Sequence, residues 1–276
     1  MVEIIPMTTE DTAFATDLTD IEKWGYLRRD FERLMFIEPE GCFIAWKADH
    51  RVGMVTAISY GRFAFLGCLI VIKEARGEGI GEKLMRHAVD FLKRKGVRTI
   101  ELDGVFKAVP LYRRLGFRDK YLSLRFVRPP EYSHKDHPPC PENLFPEILE
   151  FDRRATGIGR EKPLGAYFED LPDHIHASGL GRLLAYAIVR PRADNLLELG
   201  PMVAESAASA RVLLQSIIDK YAARPIGIGI PATNSEGVDL IISSGFHYRE
   251  PALRMYLGER LEYEKHIYGI FSPEKG

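Results

Sequence analysis

"EARGEGIGEKLMRHAV", residues 74–89, is the stretch on which the reading of this chain turns. Glycines stand at 77, 79 and 81, an arginine precedes them at 76, and a strongly helical run follows. Behind it lies "FAFLGCLIVI", residues 63–72, an apolar run suited to a strand buried on both faces. Ahead of it Ile80, Leu84, Met85, Ala88, Val89 and Leu92 recur at helical spacing. Gly96, after "KRK" at 93–95, marks the stop. The glycines therefore sit on a strand-to-helix turn. There they let backbone N–H groups converge with no Cβ in the way, and the helix N-terminus adds partial positive charge. Both features suit a phosphate or pyrophosphate.

Three phosphate-loop patterns compete. The P-loop requires Gly-Lys and then Ser or Thr, but Gly81 is followed by Glu82. The dinucleotide fingerprint G-x-G-x-x-G, begun at Gly79 and Gly81, fails at Leu84. What remains is R-x-x-G-x-G, made by Arg76, Gly79 and Gly81. It resembles the pyrophosphate loop of the GCN5-related N-acetyltransferases, which bind coenzyme A. Glu78 and Glu82 would compete with a phosphate for the same field, and Lys83, Arg86 and Arg76 are near enough in sequence to offset them.

A second motif lies in "VRTIELDGVFKAVPLYRRLGF", residues 97–117. Val97 to Asp103 alternates like a strand that Gly104 ends, and Leu111 to Leu115 reads as a short helix stopped by Gly116. "LYRRLGF" resembles the second signature of the same family, in which a tyrosine on a short helix faces the thioester sulfur. Tyr112 is that tyrosine here, at the family's usual separation from Arg76.

The resemblance implies acetyl transfer from acetyl-CoA to a primary amine. The amine must lose a proton, and the tetrahedral intermediate must expel a thiolate. A phenol with a pKa of about 10 is still protonated at neutral pH and can donate to that sulfur. Backbone N–H groups where the strand splays open, at Leu69, Ile70, Val71 and Ile72, can polarise the thioester carbonyl. With Arg76, Gly77, Glu78, Gly79, Ile80 and Gly81 they make the expected coenzyme site. The alternative for Tyr112 is a half-buried packing residue.

The base is open. Many family members carry a glutamate on the strand before the loop, but "FAFLGCLIVI" contains no acid. Glu101 and Asp103 share one face of the next strand. Asp103, at its exit, either collects the acceptor ammonium or relays its proton, or simply caps a loop.

The rest of the chain reads as a second copy. "GFRDKYLSLRF" from Gly116 and "GFHYREPALRM" from Gly245 share Gly-Phe and, six residues later, Leu-Arg. The element order repeats through "NLLELGPMV", "AESAASARVLLQSIIDKYAA" and "PIGIGI". The expected fold is α/β: two tandem acyltransferase domains, each a mixed, mostly antiparallel twisted sheet flanked by helices. Residues 1–130 form the catalytic domain, 131–145 a Pro-rich linker and 146–276 the second domain. That second copy is degenerate. "VAESAASAR" has no glycine, and Ile241 falls opposite Tyr112. It is expected to be silent, walling the acceptor pocket or stabilising the first copy.

Two other patterns lead elsewhere. "RATGIG", Arg154 to Gly159, also fits R-x-x-G-x-G, but a helix precedes it and Pro163 breaks the segment after it. It resembles a D…G…R segment that opens the second domain of some tandem acetyltransferases. "HKDHPPC" gathers His134, Asp136, His137 and Cys140 without a further ligand pair at zinc spacing, so no metal is expected. His174 and His176 fall on one face of an expected strand, as a solvated pair.

Bulk properties agree. A net charge of −1 over 276 residues argues against nucleic-acid or membrane-surface binding. Cys42, Cys68 and Cys140 are too few and too scattered for a disulfide framework. "MVEIIPMTTEDTAF" lacks a signal-peptide pattern, so a cytoplasmic monomer or homodimer is expected. A small amine is the preferred acceptor. A non-catalytic acyl-CoA sensor, a protein N-terminal or lysine acetyltransferase, a transferase using an aminoacyl or long-chain donor, and a scaffold are the rivals.

Overall fold

The computed structural model describes residues 1–131 and 144–276. His134, Asp136, His137 and Cys140 lie outside the described residues, as does most of the expected linker. The chain packs as two units. The first is Met1–Lys120 with Arg254–Arg260 and Pro273–Gly276, and the second is Tyr121–Leu253 with Leu261–Ser272.

The first unit begins with β1 (Val2–Pro6), α1 (Thr12–Ile21) and α2 (Arg28–Ile37). A meander of β2 (Cys42–Lys47), β3 (His50–Tyr60) and β4 (Phe63–Val71) comes next. Then come α3 (Ile80–Arg94), β5 (Thr99–Gly104), α4 (Val109–Arg114) and the start of β6 (Arg118–Arg128), which passes into the second unit at Tyr121. Neighbouring strands are antiparallel from β1 to β4, whereas β5 runs parallel to β4. The apolar stripe read from the sequence is the buried face of α3, which lies on β2, β3 and β4. Each such leucine contributes about 1.5–3 kcal/mol by leaving water, enough to hold the helix and its N-terminus in place.

The second unit contains α5 (Phe145–Thr156), α6 (Glu161–Asp170), β7 (Ile175–Ser178), β8 (Ala185–Pro191) and β9 (Leu197–Ala204). It continues with α7 (Ala207–Lys220), β10 (Ile226–Pro231), α8 (Ser235–Ser243), β11 (His247–Gly258) and β12 (Ile267–Gly269). Its core gathers Leu197, Leu199 and Met202 of β9 with Leu213, Leu214 and Ile217 of α7 and Ile226, Ile228 and Ile230 of β10.

Packing does not follow the linear division at 130 and 146. β6 comes straight after α4 in sequence, yet it pairs with β10 from Pro231↔Ser123 to Ile226↔Arg128. The end of β11, from Arg254, joins the first unit beside β5. Two copies of one fold offer equivalent sheet edges, and a strand of either copy satisfies the same hydrogen-bonding edge.

Candidate functional site

β4 pairs with β5 only from Phe63↔Thr99 to Leu66↔Leu102. Beyond Leu66 the two strands part, so the expected splay is present. On its other edge β4 stays with β3, with a register shift between Met54 and Thr56. Opposite that shift Cys68 adopts a φ of 50°, a conformation rare for a residue with a Cβ, as at a bulge. Leu69, Ile70 and Val71 continue along the splayed stretch. Ile72 differs: its N–H donates to Val52 O at 3.0 Å, which takes it out of the candidate donors.

A single turn, Lys73–Ala75, leads into the glycine loop. Gly77 and Gly79 have φ of 85° and 77°, where an L side chain is strained, and Gly79 caps α3 in the left-handed region. The N–H groups of Gly77, Gly79, Ile80 and Gly81 meet no acceptor among the described residues. Four donors at one helix N-terminus fit a pyrophosphate.

The acids that threatened this loop are neutralised. Lys47 of β2 donates to both oxygens of Glu78, at 2.9 and 2.7 Å, and Arg86 pairs with Glu82 at 2.7 Å. Lys47 carries no signal in the sequence, since only the fold brings β2 to the loop. Arg76 does not turn toward the glycines as a free cation. Its Nε donates to Val71 O at 2.9 Å and its Nη2 to Glu22 at 2.7 Å, so it buckles the loop onto the end of β4. Lys107 binds the other oxygen of Glu22 at 2.8 Å. That hydrogen bond, ahead of the one from Arg76, holds the Glu22 carboxyl below the usual range.

α4 is a short helix with Pro110 in its first turn, where a missing N–H costs nothing. It starts two residues earlier than the leucine spacing indicates. Tyr112 projects from it with 6 % exposure, edge-on to Phe117 at 6.2 Å. A Cβ on Gly104 would lie 2.9 Å from its Cε2, so the ring rests on the bare backbone at the end of β5. Burial pushes the phenol above its ordinary pKa, and its hydroxyl meets no partner among the described residues. It is therefore a protonated donor with nothing among the described residues to donate to.

One contact set joins the motifs. A Cβ on Gly81 would stand 3.7 Å from Leu111 and 3.8 Å from Val71. The glycine loop, the splayed end of β4 and the helix carrying Tyr112 thus converge on one place.

The acids of β5 are both ion-paired. Asp103 is gripped at both oxygens by Arg254, and Glu101 is shared between Lys120 at 2.7 Å and Arg254 at 3.2 Å. A carboxylate held in this way anchors an ion-pair cluster. Collecting the acceptor ammonium would require breaking it.

The second unit closes its equivalent cleft. β9 and β10 run parallel only from Leu197↔Ile226 to Leu199↔Ile228. Past that point β12 pairs with β9, at Met202 and Val203, and Ile270 N–H donates to Gly229 O at 2.7 Å. The N-terminus of α7 also carries a side-chain cap, since Ser206 Oγ accepts from Ser209 N–H at 3.3 Å. Ile241, opposite Tyr112 in the alignment, is buried core. Missing glycines are thus only part of the loss.

Other expectations resolve locally. "RATGIG" straddles the end of α5, and α6 does come after it, with Pro163 tolerated in the first turn. A helix and not a strand end stands behind it. The D…G…R pattern is a buried ion pair, in which Arg160 grips Asp152 at both oxygens and Tyr186 adds its hydroxyl to Asp152. His174 lies in a turn before β7 and not on the strand. It stacks on Tyr221 at 5.9 Å, and His176 bonds the Tyr221 hydroxyl at 3.1 Å. Among the described residues no three His, Cys, Asp or Glu side chains gather as a metal site, and no helix is long and apolar enough to cross a membrane.

Comparison with known proteins matches this geometry. Residues 9–117 match the family model "Acetyltransferase (GNAT) family", and residues 148–269 match "Acetyltransferase (GNAT) domain". Holothin acyltransferase of a Pseudoalteromonas species is 25 % identical, over 98 % of this chain and 93 % of its own length. A Pyrococcus horikoshii protein described as an acetyltransferase superposes with a TM-score of 0.81 at 26 % identity, over 100 % of this chain and 96 % of that one. The tandem GNAT protein of the clavulanic acid biosynthesis pathway shares the fold at 13 % identity and a TM-score of 0.64, over 95 % and 100 % of the two chains. The enzymes of this fold use acetyl-CoA as co-substrate. The chain belongs to the GCN5-related N-acetyltransferase family, as a tandem two-domain acyltransferase.

Proposed function

We propose that the first unit transfers an acetyl group from acetyl-CoA to the primary amine of a small molecule, by direct attack within a ternary complex. The observation that carries this is the convergence at Gly81 of free helix-N-terminal donors, the splayed end of β4 and the helix of Tyr112. Gly77, Gly79, Ile80 and Gly81 would hold the pyrophosphate, and Leu69, Ile70 and Val71 the pantetheine arm and thioester carbonyl. Tyr112 would protonate the leaving sulfur. Catalysis would rest mostly on holding two reactants in line, an effect worth up to about 7–11 kcal/mol.

The test is thiol release from acetyl-CoA across a panel of small amines and lysine-bearing peptides, with coenzyme binding followed by calorimetry. Turnover with small amines and none with peptides is the expected result. No heat with acetyl-CoA would refute the reading.

A further inference from the structure

The acids around the glycine loop are not neutralised alike. Glu78 and Glu82 each face one cation, Lys47 and Arg86. Glu22 faces two: Arg76 Nη2 donates to its Oε1 at 2.7 Å, and Lys107 Nζ to its Oε2 at 2.8 Å. That corner of the loop therefore carries a surplus of positive charge.

Glu22 belongs to neither motif. It follows the last residue of α1, and its carboxylate reaches both lips of the cleft. One lip is the end of β4 with the glycine loop. There Arg76 Nε donates to Val71 O, and the Val71 side chain lies 3.8 Å from where a Cβ on Gly81 would stand. The other lip is the run from β5 into α4. Lys107 stands in the single turn Phe106–Ala108 that leads into α4, whose Leu111 lies 3.7 Å from the same Cβ position. The ion triad thus bridges the two lips that meet at Gly81, beside the N–H donors of the α3 N-terminus. Its exposure suits exchange. Arg76 and Lys107 are 46 % and 66 % exposed, and a carboxylate holds such cations weakly. A doubly charged pyrophosphate offers them more charge and more acceptor oxygens.

Resting on the acetyl-transfer reading, we infer that Lys107 is a coenzyme-binding residue, and that Glu22 competes with the coenzyme's phosphates for Lys107 and Arg76. A pyrophosphate on the N–H groups of Gly77, Gly79, Ile80 and Gly81 draws both cations off Glu22. Arg76 keeps its Nε on Val71 O and turns its Nη groups, while Lys107 swings on its four-carbon stem. Glu22 then limits the affinity. It stands ready to take the cations back, which favours departure of the coenzyme A product. An ion pair that only straps α1 to the loop has the opposite signature, because losing it would loosen the loop and weaken coenzyme binding.

The experiment is acetyl-CoA calorimetry, from low to high salt, on the full chain, Glu22→Gln, Lys107→Met and the double variant. Thermal melting of each protein runs alongside. Glu22→Gln should bind acetyl-CoA about fivefold tighter, which is about 1 kcal/mol, even though it melts lower than the parent. Lys107→Met should bind about fivefold weaker and lose part of the salt dependence. The gain from Glu22→Gln should shrink in the double variant, where one of the two contested cations is gone. Parent-like or weaker binding by Glu22→Gln would overturn the inference. So would parent-like affinity and salt dependence in Lys107→Met, or an undiminished gain in the double variant. A parent that binds no acetyl-CoA would instead sink the acetyl-transfer reading beneath it.

Discussion

Arg254 and Asp103 are joined twice, Nε to Oδ1 at 2.7 Å and Nη2 to Oδ2 at 3.1 Å, with side chains only 1 % and 2 % exposed. Such a two-point grip is the strong form of a guanidinium–carboxylate pair. Glu101 and Lys120 extend it into a cluster with two charges of each sign. Removing one cation strands a buried carboxylate. Arg254→Met should cost about 3–5 kcal/mol in denaturant unfolding. A loss below about 1 kcal/mol would mean the cluster is not sealed from water as described.

Tyr112→Phe removes the proposed proton donor to the sulfur and little else, because the hydroxyl bonds nothing among the described residues. Turnover should fall about 10²–10⁴-fold while calorimetric coenzyme affinity stays put. Since burial raises the phenol pKa, the parent should show no alkaline limb from this group near neutral pH. Equal turnover in the two proteins would remove Tyr112 from the chemistry.

Gly104→Ala should imitate that loss from a distance. Its new Cβ would meet the Tyr112 ring at 2.9 Å and push it off the end of β5. The expected signature is slower turnover with unchanged coenzyme binding, and a stability cost of about 1–3 kcal/mol from overpacking. Activity matching the parent would show that the ring position is not critical.

The clamp on Arg76 should respond to acid. Glu22 has a lowered pKa in the folded state, so its contribution is complete above the unfolded carboxyl value of about 4.3 and disappears as pH falls through the folded value. Arg76 and Lys107 are 46 % and 66 % exposed, so screening limits the effect to about 1 kcal/mol or less. Unfolding of the parent and of Glu22→Gln, measured from pH 2 to 7, should differ near neutrality and converge in strong acid. A gap that persists at pH 2 would contradict the assignment.

Calorimetry should also count one acetyl-CoA per chain. β12 occupies the second splay and Ser206 caps α7, so among the described residues the second unit lacks the open strand end and glycine loop of the first. A stoichiometry of two would overturn that account.

Local patterns were enough to place the glycine loop, its flanking strand and helix, and Tyr112. A phosphate-binding turn is built from consecutive residues whose glycines, apolar run and helical spacing lie within a short window. The duplication was legible for the same reason. What the tertiary structure decided concerns residues far apart in the chain. It put Lys47 on Glu78 and Glu22 on Arg76, gave Asp103 to Arg254, and exchanged the partners of β6 and β11. It also laid Glu274 across Gly67. Charges and strand edges pair by position in space, and sequence distance leaves no mark of that. The lone glycine in β4 was the single local trace of the segment that covers it.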